Sequence, residues 1–194
     1  MKVLLIAPPG AGKGTQGAVI AEHFGIPHIA TGDALRDEVA RGTDLGRQVQ
    51  DAVARGDLVP DEVILEMVRR ALADLQGGGY VLDGVPRTMA QAKALFEIAV
   101  DVGMTADVAL HLQVEDAALV QRLLDRAAVQ GRSDDTEDVI RRRIALYHEV
   151  TQPILSWYGE RQILVSIDAG MPPDDVSREV IEALDLRRQE PPDR

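Results

Sequence analysis

The chain has no cysteine, few aromatic residues and far fewer basic than acidic side chains. Without cysteine it can form neither a disulfide nor a cysteine-based zinc site, and it has no thiol nucleophile. An aromatic content of 3% disfavours a surface on which single-stranded nucleic acid stacks. A formal net charge of -11 disfavours binding to nucleic acid or to an anionic membrane. Any local cluster of arginines is therefore informative, because it opposes the overall charge.

Long hydrophobic runs are also missing. No run approaches the roughly 20 apolar residues that a membrane-spanning helix needs, and the short run after Lys2 is typical of a strand rather than of a signal peptide. With 194 residues, 45% of them hydrophobic, the chain can form one well-buried α/β core. We expect a cytoplasmic protein. We also expect a monomer, because no exposed heptad or long apolar stripe favours a dimer.

Short apolar segments alternate with helical segments along the chain. Continuous apolar runs of this kind are typical of strands that are buried on both faces. Their alternation with helices predicts an α/β fold with a doubly wound sheet of five parallel strands and right-handed crossovers. Ligands bind such sheets at the carboxyl ends of the strands. The predicted strands are 3–6, 27–30, 80–82, 108–112 and 163–167.

The intervening segments predict helices, of which the longest contains a proline. We expect Pro153 to kink or break that helix, because proline lacks an N–H and its ring clashes with the preceding turn. The polar segment 130–136 predicts a loop, and the charged segment 187–194 predicts a frayed tail. The predicted helices are 14–24, one opened by Thr31–Asp33, 44–54, 62–75, 88–102, 116–127, 137–157 and 173–184.

The strongest motif follows the first predicted strand, where Gly10–Thr15 reads Gly-Ala-Gly-Lys-Gly-Thr. Glycines let successive backbone N–H groups turn toward an anion, and the N-terminus of the next helix favours phosphate. Lys13 can reach the β and γ phosphates of a nucleotide, and Thr15 can support a magnesium ion. Ala7 stands where the general pattern prefers glycine. Because alanine tolerates positive φ poorly, either the backbone at Ala7 is right-handed or the loop starts elsewhere.

Asp83 ends the third predicted strand, beside the expected position of the phosphate loop. A carboxylate there can hold Mg²⁺, through water, although an ordinary strand-end turn is the alternative. The four histidines are scattered, and we expect them to be structural or on the surface. Several arginines fall near the same edge, where guanidinium groups could bind phosphate, although each taken alone could be a solvated surface residue. They are Arg36, Arg87, Arg122, Arg126, Arg132 and Arg143.

Taken together, five motifs resemble the adenylate kinase family. They occur in the family's order and spacing, from residue 1 to about residue 185, and they also account for the position of Thr15, because the family typically reads Gly-Lys-Gly-Thr. Val85 departs from the family, which usually has an aromatic residue at this place. The motifs are Pro9–Thr15, Thr31–Arg36, Gly56–Pro60, Asp83–Thr88 with Gln91, and Gly131–Asp135 with Arg143.

The resemblance implies a reaction and a division of the chain. The reaction is reversible, Mg²⁺-dependent transfer of the γ-phosphoryl group of ATP to AMP, which gives two ADP and serves adenine nucleotide homeostasis. The fold implied is a P-loop NTPase-type core in a single kinase domain of residues 1–186. The core would comprise 1–29, 60–125 and 137–186, with an AMP-binding helical insertion of 30–59, a short lid of 126–136 without a structural zinc site, and a flexible tail of 187–194.

The resemblance also assigns roles to individual residues. Catalytic charge would come from Lys13, Arg87, Arg126, Arg132 and Arg143, and Asp83 would hold Mg²⁺. ATP would be bound by Gly10, Ala11, Gly12, Lys13, Gly14, Thr15, Arg126 and Met171. AMP would be bound by Thr31, Arg36, Asp57, Leu58, Val59, Gly84, Val85, Pro86, Arg87, Gln91, Arg132 and Arg143.

Two other functions stay open on the sequence alone. A nucleoside monophosphate kinase acting on UMP, CMP or GMP would share the phosphate loop and the arginines, although Thr31 and Gln91 favour adenine by resemblance. A nucleotide-binding regulator without transferase activity would need neither the full set of arginines nor a second nucleotide pocket. An assay of ADP formation with a panel of monophosphates distinguishes all three.

Overall fold

The computed structural model describes residues 1–75, 77–130 and 136–189, with the backbone alone at 126 and 128–130. Within these residues the centre of the molecule is a five-stranded sheet with the order β2-β3-β1-β4-β5, and every neighbouring pair is parallel. The predicted fold class is therefore confirmed. The strands are β1 (Lys2–Ile6), β2 (His28–Ala30), β3 (Tyr80–Asp83), β4 (Val108–Gln113) and β5 (Leu164–Asp168).

Helices connect the strands and cover both faces of the sheet. Two of them continue into segments predicted as lid or tail: α6 continues to Gln130, so residues 126–130 of the expected lid are helical, and α9 continues through residues 187–189. No helix in the described ranges is long and apolar enough to cross a membrane. The helices are α1 (Lys13–Phe24), α2 (Thr31–Ala40), α3 (Asp44–Arg55), α4 (Asp61–Asp74), α5 (Met89–Asp101), α6 (Asp116–Gln130), α7 (Glu137–Leu146), α8 (Ile154–Glu160) and α9 (Pro173–Gln189).

Pro153 interrupts the long helix predicted over 137–157, as expected. Helix α7 ends at Leu146, and a π-helical turn, Tyr147–Thr151, separates it from α8. In this turn the Gln152 N–H donates to the Tyr147 carbonyl, five residues earlier, at 2.7 Å. Proline cannot donate to the preceding turn, so the helix changes its pitch before it continues.

The core consists of two apolar layers, one on each face of the sheet. In β1, Val3 and Leu5 pack with apolar residues of α1, α6 and α9, whereas Leu4 and Ile6 pack with those of α4, α5 and α8. This division follows from the alternation of side chains along a strand. Both faces are covered, which explains why the predicted strands are almost continuously apolar.

The order of the strands determines where a ligand can bind. The chain passes from β1 over β3 to β2, and later from β3 over β1 to β4, so the direction of winding reverses between β1 and β3. A reversal of this kind leaves a crevice at the carboxyl ends of the two strands. The phosphate loop follows β1, and Asp83 ends β3 beside Leu5 of β1. The two motifs therefore meet at one edge of the sheet.

Candidate active site

A cavity of about 660 Å³ opens at the carboxyl ends of β1 and β3. Its wall combines the phosphate loop, the start of α2, the segment after α3, the segment after β3 and part of α7. The fold thus brings together most of the site residues predicted from the sequence. Those that line the cavity are Gly10, Gly12, Lys13, Gly14, Thr15, Thr31, Arg36, Asp57, Leu58, Val59, Asp83, Gly84, Pro86, Arg87, Gln91, Arg122 and Arg143.

The remaining predicted residues lie elsewhere or outside the described part of the chain. Ala11 and Val85 are buried in the core and do not line the cavity. Met171 also does not line it; this side chain packs against the core layer of α9, just after β5. The side chain of Arg126 and the whole of Arg132 lie outside the described residues.

The phosphate loop has the backbone that an anion site requires. Gly10 has φ +85° and Gly12 has φ +92°, and a Cβ at Gly10 would lie 2.9 Å from Leu123 Cγ. Lys13 Nζ donates to the carbonyls of Ala7 at 2.8 Å and Pro8 at 3.1 Å, so the loop folds around its own lysine. The first N–H groups of α1 have no acceptor within the helix and are suited to bind phosphate.

Ala7 does not distort this loop. Within the described ranges the only non-glycine residue with positive φ is Gln162, so the backbone at Ala7 is not left-handed. Ala7 is buried directly after β1, and its carbonyl accepts the hydrogen bond from Lys13. The departure at Ala7 therefore requires no left-handed alanine, because the left-handed positions of the loop fall on Gly10 and Gly12 instead.

Asp83 is a buried carboxylate that the site keeps ionised. Its Oδ2 lies 3.6 Å from His28 Nε2, which has no hydrogen-bond partner among the described residues. Burial raises the pKa of Asp83. His28, Lys13 and Arg87 together lower it by more than burial raises it, so the pKa lies below the usual range. Because it stays charged beside the phosphate loop, Asp83 fits a Mg²⁺ ion bound through water. Within the described ranges no group of three or more acidic, His or Cys side chains could hold a metal ion.

Arginines from four parts of the chain line the cavity, namely Arg36, Arg87, Arg122 and Arg143. A Cβ at Gly32 would lie 3.6 Å from Arg36 Nη2 and 3.7 Å from Arg87 Nη2, so both groups lie against the start of α2. Burial lowers the pKa of Arg87, Asp83 raises it, and the positive charges of Arg143 and Arg36 lower it again. Water in the open cavity reaches Arg87, and arginine stays protonated in proteins. In a chain of net charge -11 this concentration of positive charge indicates an anion site.

The backbone after β3 is held against α2. Thr31 Oγ1 donates to the Asp83 carbonyl at 3.1 Å. Gly84 has φ +92°, and a Cβ there would lie 2.5 Å from Thr31 Oγ1. Glycine is therefore required at this position both for its φ and for the close approach. Gln91 holds the far end of the segment, since its Oε1 accepts from the Arg87 N–H and its Nε2 donates to Asp61, both at 2.7 Å.

The segment after α3 packs against α7. Asp57 accepts hydrogen bonds from Arg142 Nε at 2.5 Å and from Arg55 Nε at 3.0 Å. The bond with Arg55 lowers the pKa of Asp57, burial opposes this, and Arg142 lowers the pKa further. A Cβ at Gly56 would lie 2.8 Å from Val139 Cγ1. Because the Asp57 carboxylate is hydrogen-bonded to two arginines, we expect the main chain of 57–59, rather than this side chain, to contact a ligand.

Arg122 joins α6 to the segment after β5. Its Nη1 donates to the Ala169 carbonyl at 2.9 Å, and its Nη2 donates to the Gly170 carbonyl at 3.3 Å. Arg122 also lines the cavity. These contacts hold the segment that follows β5, just before Met171, against α6.

Among the cavity residues that were not singled out as site residues in the sequence, three have polar side chains and lie outside the five motifs. His28 lies beside Asp83, whereas Tyr147 and Thr151 reach the cavity from the π-helical turn. The proline at 153 was the only signal for that turn. The contacts of Tyr147 and Thr151 connect residues far apart in the chain, so no local pattern could have shown them.

Comparison with known proteins adds an independent finding. A family model described as Adenylate kinase matches residues 5–163. An adenylate kinase of Thermobifida fusca (strain YX) is 45% identical over 188 residues, covering 96% of this chain and 100% of the relative. Those of Thermus thermophilus and Kocuria rhizophila are 43% and 46% identical, each covering 95% of this chain and 97% and 98% of the relative.

Proposed function

Since this chain belongs to the adenylate kinase family, and is therefore a phosphotransferase, we propose that its cavity binds ATP and AMP together and transfers the γ-phosphoryl group between them, giving two ADP. One observation carries the proposal: a single cavity contains both the phosphate loop and the guanidinium groups of Arg36, Arg87 and Arg143. The relatives are called adenylate kinases, and this name favours AMP over the other nucleoside monophosphates as the phosphoryl acceptor.

The chain's residues divide the work of binding two anions. In the proposal, Lys13 and the N-terminus of α1 bind the β and γ phosphates of ATP, and Arg36 and Arg87 bind the phosphate of AMP, beside Thr31 and the main chain of 57–59. Arg143, which lines the same cavity, contacts the phosphoryl group in transfer in this proposal. Arg126, Arg132 and Met171 complete the ATP side in this proposal, with 126–136 as a short lid and 30–59 as the AMP-binding insertion.

The reaction requires positive charge and correct positioning of the two phosphates, and it does not require a general base. The second pKa of a phosphate monoester is near 6, so AMP is largely a dianion at pH 7 and its oxygen can attack directly. That oxygen forms a bond to the γ phosphorus while the bond from the γ phosphorus to the β–γ bridging oxygen breaks, and ADP leaves. Lys13, Arg87 and Arg143 neutralise the charge that otherwise keeps the two phosphates apart.

Mg²⁺, when bound beside Asp83, would supply further positive charge to the triphosphate. The chain's own contribution there is an ionised, buried carboxylate that interacts with Lys13 and lines the same cavity as Thr15. We further propose a cytoplasmic monomer with no nucleic acid or membrane partner; the net charge of -11 and the lack of cysteine support this. Sedimentation of the purified chain tests the monomer.

The experiment that tests the function is formation of ADP from ATP and each monophosphate. Purified protein, Mg²⁺ and ATP are mixed with AMP, CMP, UMP or GMP, and ADP is followed in a coupled assay. We expect turnover with AMP and little with the others. Turnover with CMP or UMP but not AMP would identify a different monophosphate kinase, whereas ATP binding without ADP formation would indicate a regulator.

A further inference from the structure

The π-helical turn at Tyr147–Thr151 contributes two side chains to the nucleotide cavity. Tyr147 and Thr151 both line it, as does Arg143 in the preceding helix. In an uninterrupted α-helix, residues 143 and 151 would lie about 80° apart around the axis, because eight residues complete little more than two turns. A π turn uses more residues per revolution. It therefore brings Thr151 back toward the line of Arg143 and Tyr147.

Both side chains tie the turn to other elements. Thr151 is 8% exposed, and its hydroxyl donates to the carbonyl of Arg87 at 2.8 Å, across 64 residues of sequence. The Tyr147 hydroxyl lies 2.8 Å from Nε2 of His111, in the middle of β4. Tyr147 thus connects the π-helical turn to the sheet, and Thr151 connects the turn to the main chain of Arg87.

The Arg87 backbone is consequently fixed on both sides. Its N–H donates to Gln91 Oε1 at 2.7 Å, and its carbonyl accepts from Thr151. The side chain is oriented as well, because Nε donates to the Gly84 carbonyl at 2.7 Å. The positive charge of Arg143 lowers the pKa of Arg87, so the two arginines repel each other. The contacts that fix Arg87 oppose this repulsion.

We propose that Thr151 is a positioning residue for phosphoryl transfer: it holds Arg87 in register with Arg143, so that both guanidinium groups meet the phosphates together. The inference rests on the proposed function, because it assumes that these arginines contact the reacting groups. Stabilisation by charge depends on groups that are in place before the reaction, and small displacements reduce the rate. Thr151 itself touches neither nucleotide in this scheme.

The first test compares three substitutions at 25 °C, with the folded fraction of each variant measured. Thr151→Val has the same shape but lacks the hydroxyl. We expect kcat to fall about tenfold with the KM for ATP little changed, because the displaced group, the Arg87 guanidinium, acts on the attacking phosphate of AMP and not on ATP. Thr151→Ser keeps the donor and should recover most of the rate. Thr105→Val makes the same chemical change at a partly buried hydroxyl that has no hydrogen bond within the described residues, and it should leave kcat unchanged.

A double-mutant cycle separates positioning from a general structural effect. If Thr151 acts through Arg87, Thr151→Val should have no further effect on kcat in the Arg87→Ala background. An undiminished tenfold loss in that background would overturn the proposal, and so would a normal kcat for Thr151→Val in the otherwise unchanged protein.

The same cycle, measured as affinity for AMP by titration calorimetry, requires no turnover. If the chain forms no ADP but Thr151→Val weakens AMP binding only when Arg87 is present, the proposed function fails and the positioning role stands. If the chain is active and the two substitutions are additive in both measurements, the positioning role alone fails. A chain that neither forms ADP nor binds AMP would overturn both.

Discussion

His111 is buried in the middle of the sheet, and its burial predicts that the protein loses stability in mild acid. It is 6% exposed in β4, with Nε2 at 2.8 Å from the Tyr147 hydroxyl and Nδ1 at 3.4 Å from Ser166 Oγ. Burial lowers the pKa of His111 to about 4, against an ordinary value near 6.5. Between these two pH values, the His111 ring is therefore neutral in the folded protein and protonated in the unfolded chain.

The sign and size of the effect follow from proton linkage. Between pH 6.5 and 4 the unfolded state binds one more proton at this site than the folded state, so the free energy of unfolding falls as pH falls. One pKa unit corresponds to about 1.4 kcal/mol, so a shift of about 2.5 units predicts a loss of about 3 kcal/mol across this window. Asp83, whose pKa is lowered, acts in a separate window. Its contribution is present above the ordinary carboxyl value and is lost as pH falls below it.

The assay is urea unfolding of the unchanged protein and of His111→Gln at several pH values from 7.5 to 4. Glutamine keeps a polar group near Tyr147 but cannot become charged in this range. We expect the stability advantage of the unchanged protein over the variant to shrink by about 3 kcal/mol on going from pH 7 to 4. A constant difference across the range would refute the reasoning.

His148 provides a matched control with the opposite sign. It is exposed, and hydrogen bonds to Gln152 and Asp116 raise its pKa. A raised pKa contributes stability that is complete below the ordinary value and is lost as pH rises through the folded value. The difference between the unchanged protein and His148→Gln should therefore grow, rather than shrink, as pH falls.

Three further substitutions test the site. Gly84→Ala places a Cβ 2.5 Å from Thr31 Oγ1 at φ +92°, and it should lower the free energy of unfolding by urea by about 2 kcal/mol or more. Gly103→Ala, at φ +68° with open space around the added Cβ, should lower it by less. Equal losses in the two variants would contradict the argument. Lys13→Ala should lower turnover by at least about 10²-fold, whereas exposed Lys93→Ala should not; a near-normal rate for the former would remove Lys13 from the mechanism. Asp83→Asn should raise the Mg²⁺ concentration for half-maximal activity about tenfold, and an unchanged Mg²⁺ dependence would exclude the ion from this carboxylate.

Much of the fold follows from local patterns. The buried strands are apolar because helices cover both faces of the sheet, and the glycines at 10 and 12 mark where the backbone must turn. Pro153 interrupts its helix because proline has no backbone N–H to donate, and this property can be read from the single residue. The two helices that run further than expected are different: the polar character of residue 130 and of 187–189 predicts loop or tail, but surface helices are also polar on one side.

The site was predictable in part. The phosphate loop, Asp83 and the arginines converge because the order of strands brings successive strand ends together. Thr151 was not predictable, because its partner is a main-chain carbonyl 64 residues away. The expectation that all four histidines are structural or on the surface holds for His23, His111 and His148, but His28 lies in the cavity beside Asp83. Such contacts depend on tertiary packing that no local pattern records.

The most direct test of the central claim is the rate of ADP formation from ATP and AMP in the presence of Mg²⁺, measured beside CMP, UMP and GMP at equal concentrations. The account predicts rapid formation of two ADP per AMP consumed and far slower reaction with the other monophosphates. ATP binding without ADP formation from AMP, or a clear preference for another monophosphate, would contradict it.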